Sequence, residues 1–116
     1  MANKLYDLAF LKDYFDDDTK SILPVLEMYL EETPKEILKF EDSLKRNDTA
    51  AAKACAHKIK TNVAMLGIRD TSTFINDMHL LSPAGVITRE NRQQFERFKA
   101  DVTSGLDQIQ KDFFRK

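Results

Sequence analysis

Apolar positions recur along this chain three and four residues apart, which is helical spacing, and nowhere alternate in the manner of a strand. Between residues 19 and 46 the repeat runs through Leu23, Leu26, Leu30, Ile37, Phe40 and Leu44, with Thr33 filling one polar step. A proline normally ends or kinks a helix, and Thr33-Pro34-Lys35-Glu36 also reads as a fresh start with a capping box. Because the phase continues through Pro34, the pattern predicts one long helix kinked near Thr33. A second helix is predicted from Thr49 to Leu66, where Ala52, Cys55, Ile59, Val63 and Leu66 fall within roughly 40° of one line. Cys55 is in phase with that line and is expected to act as a small buried hydrophobe.

Local signals set the boundaries. Asp18 ahead of Thr19 and Asp48 ahead of Thr49 suit helix N-caps, so the triplet Asp16-Asp17-Asp18 is read as a helix start rather than a metal site. Asn47 can close the long helix in a left-handed conformation, and Gly67 can do the same for the helix that follows. Asp70 is expected to cap a third helix of about Thr71 to Leu81, with Phe74, Ile75, Met78 and Leu81 inward, broken by Ser82-Pro83-Ala84-Gly85. The last helix should run from a Thr88 cap to about Phe114, with Phe95, Phe98, Val102, Leu106, Ile109 and Phe113 inward. Ahead of all these, Tyr6 to Phe15 carries Phe10, Leu11, Tyr14 and Phe15 at helical spacing and is expected to cover one end of the core.

Short connections make successive helices antiparallel. The expected fold class is therefore all-α: an antiparallel four-helix bundle with an additional short N-terminal helix packed across one end, one domain over residues 1–116. Composition agrees, with 42% hydrophobic and 32% charged residues but only three glycines and three prolines. A net charge of −1 gives no global attraction to nucleic acid or to anionic lipid. One cysteine permits no internal disulfide, no apolar run is long enough to span a bilayer, and the N-terminus lacks a signal peptide's pattern. A cytoplasmic monomer is the expectation.

The candidate chemistry lies on the second helix. His57 points about 160° from the core line, flanked by Lys53 and Lys60 and bordered by Ala50, Thr61 and Ala64. An exposed neutral imidazole offers a ring lone pair and can act as a nucleophile. A phosphoryl group placed there would bring up to about two negative charges, which the neighbouring lysines could partly offset. Small side chains around the histidine leave a nearly flat surface for another protein.

The segment Ala56, His57, Ile59, Lys60, Thr61 and Gly67 resembles the signature of histidine-containing phosphotransfer domains, the HPt modules of two-component phosphorelays. These carry an alanine, the phospho-accepting histidine, a hydrophobic residue two later, a lysine three later, a small residue four later and a glycine ten later. Tyr29-Leu30-Glu31-Glu32-Thr33-Pro34 and the helix order are also similar to family members, so the resemblance covers nearly the whole chain. Thr61 departs from the pattern, since that position is most often glycine. Its hydroxyl can hydrogen-bond a phosphoryl group, whereas its bulk narrows the approach of a partner.

The resemblance implies that His57 accepts a phosphoryl group from the phospho-aspartate of a receiver domain or passes one to a receiver aspartate. Receivers of response regulators and hybrid histidine kinases are the implied partners. Lys60, with Lys58 or Lys53, would offset charge, and Ala50, Ala64 and Gly67 would lie on the docking surface. His79 matches a family position beside the active histidine that is commonly Gln or Glu; on its own it reads more often as an ordinary surface or boundary residue. The protein would be a phosphoryl carrier rather than an enzyme, with no cofactor of its own, and Mg²⁺ would belong to the receiver. Autophosphorylation is not expected, because no ATP-binding region is present.

Other chemistries fit poorly. Di-metal bundles need Glu-x-x-His pairs, and the residues three before His57 and His79 are Ala54 and Asn76. Phosphate loops, zinc spacings and serine or cysteine nucleophile motifs are absent. Nucleic-acid binding through Lys53, Lys58 and Lys60 lacks interleaved aromatic residues. A binding module that docks a receiver without turnover, its chemistry closed off by Thr61, is the alternative.

Overall fold

The structure, a computed structural model, describes residues 5–68, 72–80 and 85–114. Five helices account for most of them: α1 (Ala9–Tyr14), α2 (Thr19–Lys45), α3 (Thr49–Leu66), α4 (Ser72–His79) and α5 (Arg89–Phe113). No strand occurs among the described residues. The class is all-α, as the periodicity predicts.

Caps explain most of the boundaries. The Asp18 carboxylate accepts from the backbone N–H of Lys20, and the Asp48 carboxylate accepts from that of Ala51, so each satisfies a donor that a helix start leaves orphaned. Thr88 and Asn91 complete a reciprocal capping box at the start of α5. Asn47 takes a left-handed φ of 55° between α2 and α3, and Gly67 one of 60° at the end of α3. The proposed Asp70 cap and the stretch 81–84 lie outside the described residues.

α2 runs unbroken through both Pro24 and Pro34. Each proline removes one intrahelical donor, but tertiary packing compensates. Leu26, Thr33, Ile37, Phe40 and Leu44 are all buried on its inner face. Thr33 is therefore not the start of a new helix: its hydroxyl accepts from the Asn62 side-chain amide at 3.1 Å, in the buried interface with α3.

The helices pack in a closed sequence, α2 on α3, α3 on α4, α4 on α5 and α5 on α2, and α1 touches α2 and α3. Antiparallel α2 and α3 follow directly from two side-chain pairs. Thr33 meets Asn62 and Glu36 meets Lys58, so three residues onward along α2 correspond to four residues back along α3. At one end of the core, rings of Phe40, Phe74, Phe95 and Phe98 from three helices lie with centroids 5.1–6.2 Å apart. The α2–α3 corner is tied to α5 by Arg92, whose guanidinium donates to the carbonyls of Leu44 and Ile87, while Asn47 accepts from the Ile87 N–H.

Two expectations about inward residues are corrected. In the N-terminal segment only Leu11 of the α1 face is buried, whereas Phe10 and Tyr14 are 53% and 72% exposed. The helix has only six residues, and the chain ahead of it sends Tyr6 and Leu8 into the core instead. On α3, Ala56 is fully buried and Cys55 only half-buried, so the core line runs through Ala52, Ala56, Ile59, Val63 and Leu66.

Gly67 is where the N-terminal segment locks onto α3. The Asp7 N–H donates to the Leu66 carbonyl at 3.2 Å, and a Cβ on Gly67 would collide with the Asp7 backbone. Gly67→Ala combines that collision with a left-handed φ, and it is expected to cost about 2 kcal/mol or more. Denaturant unfolding measures this, and an unchanged midpoint would contradict the packing described.

Candidate functional site

The site is built on the outer half of α3. With the core line placed through Ala52, Ala56, Ile59, Val63 and Leu66, His57 lies about 140° around the helix and is exposed. Lys53 and Lys60 sit on the same flank, about 40° and 60° from it, and Thr61 borders it on the other side. Lys60, Thr61, Ala64, Ala50 and Ala54 are exposed, and Lys53 is half-exposed. The histidine thus stands on a bare strip of small side chains with ammonium groups along one edge.

Lys58 is placed differently. It lies about 100° from His57, toward α2, and its ammonium is 2.9 Å from a carboxylate oxygen of Glu36. Glu36 itself is only 3% exposed, and Lys39 approaches the same oxygen at 3.6 Å. The hydrogen bond and the attraction of Glu36 raise the Lys58 pKa above the usual lysine value. A buried carboxylate needs a cation, so the Lys58 charge is already engaged, whereas Lys60 and Lys53 lie on the flank of His57.

Gly67 is half-buried with its open side filled by Asp7, so it shapes the end of α3 rather than forming part of the bare strip. The side chain of His79 lies outside the described residues, although α4, which carries it, packs against α3. The structure thus brings His57, Lys53, Lys60, Thr61, Ala50 and Ala64 onto one side of α3.

Sequence patterning alone missed three supporting residues. Thr33 reads as a gap in an apolar stripe and Glu36 as a capping residue, and Asn62 is given no role by the pattern. A signal was present in their spacing: Thr33 and Glu36 share a face of α2, and Asn62 and Lys58 share a flank of α3, in matching polar pairs. Among the described residues, no group of three or more His, Cys, Asp or Glu side chains could hold a metal ion.

The family model of the Hpt domain matches residues 24–112, which include the whole site and all but the first turn and a half of α2. The chain belongs to the Hpt domain family, the histidine phosphotransfer modules of phosphorelays, whose members interact with receiver domains. No curated protein and no solved structure gives a match to it.

Cys55 lies on the α2 side of α3, close to this site. Burial, and after it the nearby Glu36 carboxylate, push its thiol pKa up. The reactive thiolate therefore forms only at higher pH than in a free thiol. Iodoacetamide labelling should be slower than for glutathione at pH 8, with its inflection displaced upward. An inflection at or below that of glutathione would contradict the placement.

Proposed function

We propose that His57 is a phosphoryl carrier that takes its group from the phospho-aspartate of a receiver domain, returns it to a receiver aspartate, or both. The observation that carries this reading is an exposed imidazole on the bare strip of α3 in a chain of the Hpt family. In the transfer, the unprotonated ring nitrogen gives its electron pair to phosphorus. The phosphorus–oxygen bond to aspartate breaks, and the aspartate leaves as a carboxylate. The other ring nitrogen keeps its hydrogen.

Little covalent work is left to this protein, since catalysis of phosphoryl transfer is largely positioning and electrostatics. Lys60 and Lys53 offset charge on the phosphoryl oxygens, and the Thr61 hydroxyl is one turn from His57, where it can donate to them. Ala50 and Ala64 admit the partner's backbone. Mg²⁺ belongs to the receiver, whose carboxylates would hold it, and the protein acts without a cofactor of its own. Helices α2 to α5 form the antiparallel four-helix bundle that presents this strip, with α1 across one end, in a cytoplasmic monomer.

Thr61 favours a second reading. Its β-branched side chain is exposed beside His57, where close approach matters most. If it blocks in-line attack, the protein docks a receiver without turnover.

Intact-mass analysis after incubation with a phosphorylated receiver and Mg²⁺ tests the choice. The protein should gain the mass of one phosphoryl group, acid-labile and alkali-stable, and His57→Gln should gain none. A receiver that binds but transfers nothing to the wild-type chain, with transfer appearing in Thr61→Gly, would establish the docking reading instead.

A further inference from the structure

Between α2 and α3 the interface is largely apolar, yet among the described residues it holds two polar ties, and both reach α3 within five residues after His57. Thr33 is fully buried and accepts from Asn62, five residues beyond His57. Glu36 is buried and binds Lys58, the residue next to His57. Neither tie is an efficient way to stabilise a core. A buried hydrogen bond nets only about 1 kcal/mol, and a buried carboxylate must recover its desolvation cost from its cation.

What such ties supply is register. The buried face of α3 includes Ala52 and Ala56, whose small side chains offer a facing helix little to interlock with. Over the turns around Ala52 and Ala56, apolar contact therefore opposes a slide or a rotation of α3 less than it does farther on, where Ile59, Val63 and Leu66 are buried. A buried hydrogen bond with a fixed donor and acceptor disfavours either displacement, and the ion pair one turn away, made by a flexible and largely exposed lysine, adds a looser restraint. Specifying helix register is the best-attested use of buried polar groups.

We propose that Thr33, Glu36 and Asn62 are positioning residues for His57. Their two ties to α3 fix the rotation and height at which the imidazole is presented. The inference rests on the phosphoryl-carrier reading for its kinetic consequence, and on geometry alone for its structural one. Displacement of a reacting group by about 1 Å can cost on the order of a hundredfold in rate. Loosening α3 should therefore slow transfer without weakening the docking of a receiver.

The test compares wild type, Thr33→Val with Asn62→Leu, Thr33→Val alone, and Thr33→Ser, which keeps the hydroxyl. The readouts are the maximal transfer rate from a phosphorylated receiver, the receiver concentration giving half that rate, the thermal midpoint, and NMR spectra of the backbone amides. The paired variant should keep a thermal midpoint close to wild type and a half-saturating concentration within about twofold, yet transfer about tenfold or more slowly. Thr33→Ser should restore the rate. Amides of α3 should broaden or shift in the paired variant while those of α5 remain as they are.

A paired variant that transfers at the wild-type rate would overturn the proposal. So would a rate that falls only in step with the thermal midpoint, in Thr33→Ser as in Thr33→Val. If the paired variant does not fold, Thr33→Val alone decides on the same readouts. If the wild-type chain accepts no phosphoryl group, the carrier reading fails by itself and the NMR comparison decides the positioning claim. Unchanged α3 amides would then refute it.

Discussion

One helix has to serve as the inner wall of the core and as the exposed face that carries His57, and eighteen residues at about 100° each must be divided between the two. The division leaves no spare surface. Ala52, Ala56, Ile59, Val63 and Leu66 take the inside, while His57, Thr61 and Ala64 take the outside. The flanks carry Lys53 and Lys60 on one side and Lys58 and Asn62 on the other. Small residues satisfy both demands, since alanine keeps helix propensity high, lets neighbouring helices approach, and leaves the outer strip flat.

Electrostatics near the histidine follow from the same division. Lys58 is bound to a carboxylate on α2, whereas Lys53 and Lys60 lie on the histidine's own flank. A carboxylate as deeply buried as Glu36 would be costly without that cation. The lysine that follows the histidine in sequence thus belongs to the interface, and the lysine three residues on belongs to the site. Adjacent helical positions do not face each other, whereas positions three apart do.

Much of this was legible in the chain, because it depends on local chemistry. Asp18, Asp48, Asn47, Gly67 and Thr88 act where their side chains or backbone preferences place them, and the boundaries of α3 follow from them. The apolar stripes of α2 and α5 were legible for the same reason, although Leu23, Leu30 and Phe113 are only half-buried and Ile22 is in the core, and the signature around His57 pointed to the family. What periodicity could not reveal needed a partner from elsewhere in the chain. Glu36 reads as a surface or capping residue until Lys58 is opposite it. Phe10 and Tyr14 read as core until Tyr6 and Leu8, from a non-helical segment, occupy the space. Gly67 reads as a simple helix stop, although the Asp7 backbone also requires its missing side chain.

Combined ³¹P and ¹⁵N NMR of the protein after exposure to a phosphorylated receiver tests, at the atom concerned, the proposal that a ring nitrogen of His57 carries the phosphoryl group. Transfer to His57 should give a phosphoramidate ³¹P resonance together with a displaced ring ¹⁵N signal from His57. A ³¹P resonance assigned to an acyl phosphate or to another side chain, with the His57 ring unchanged, would contradict it.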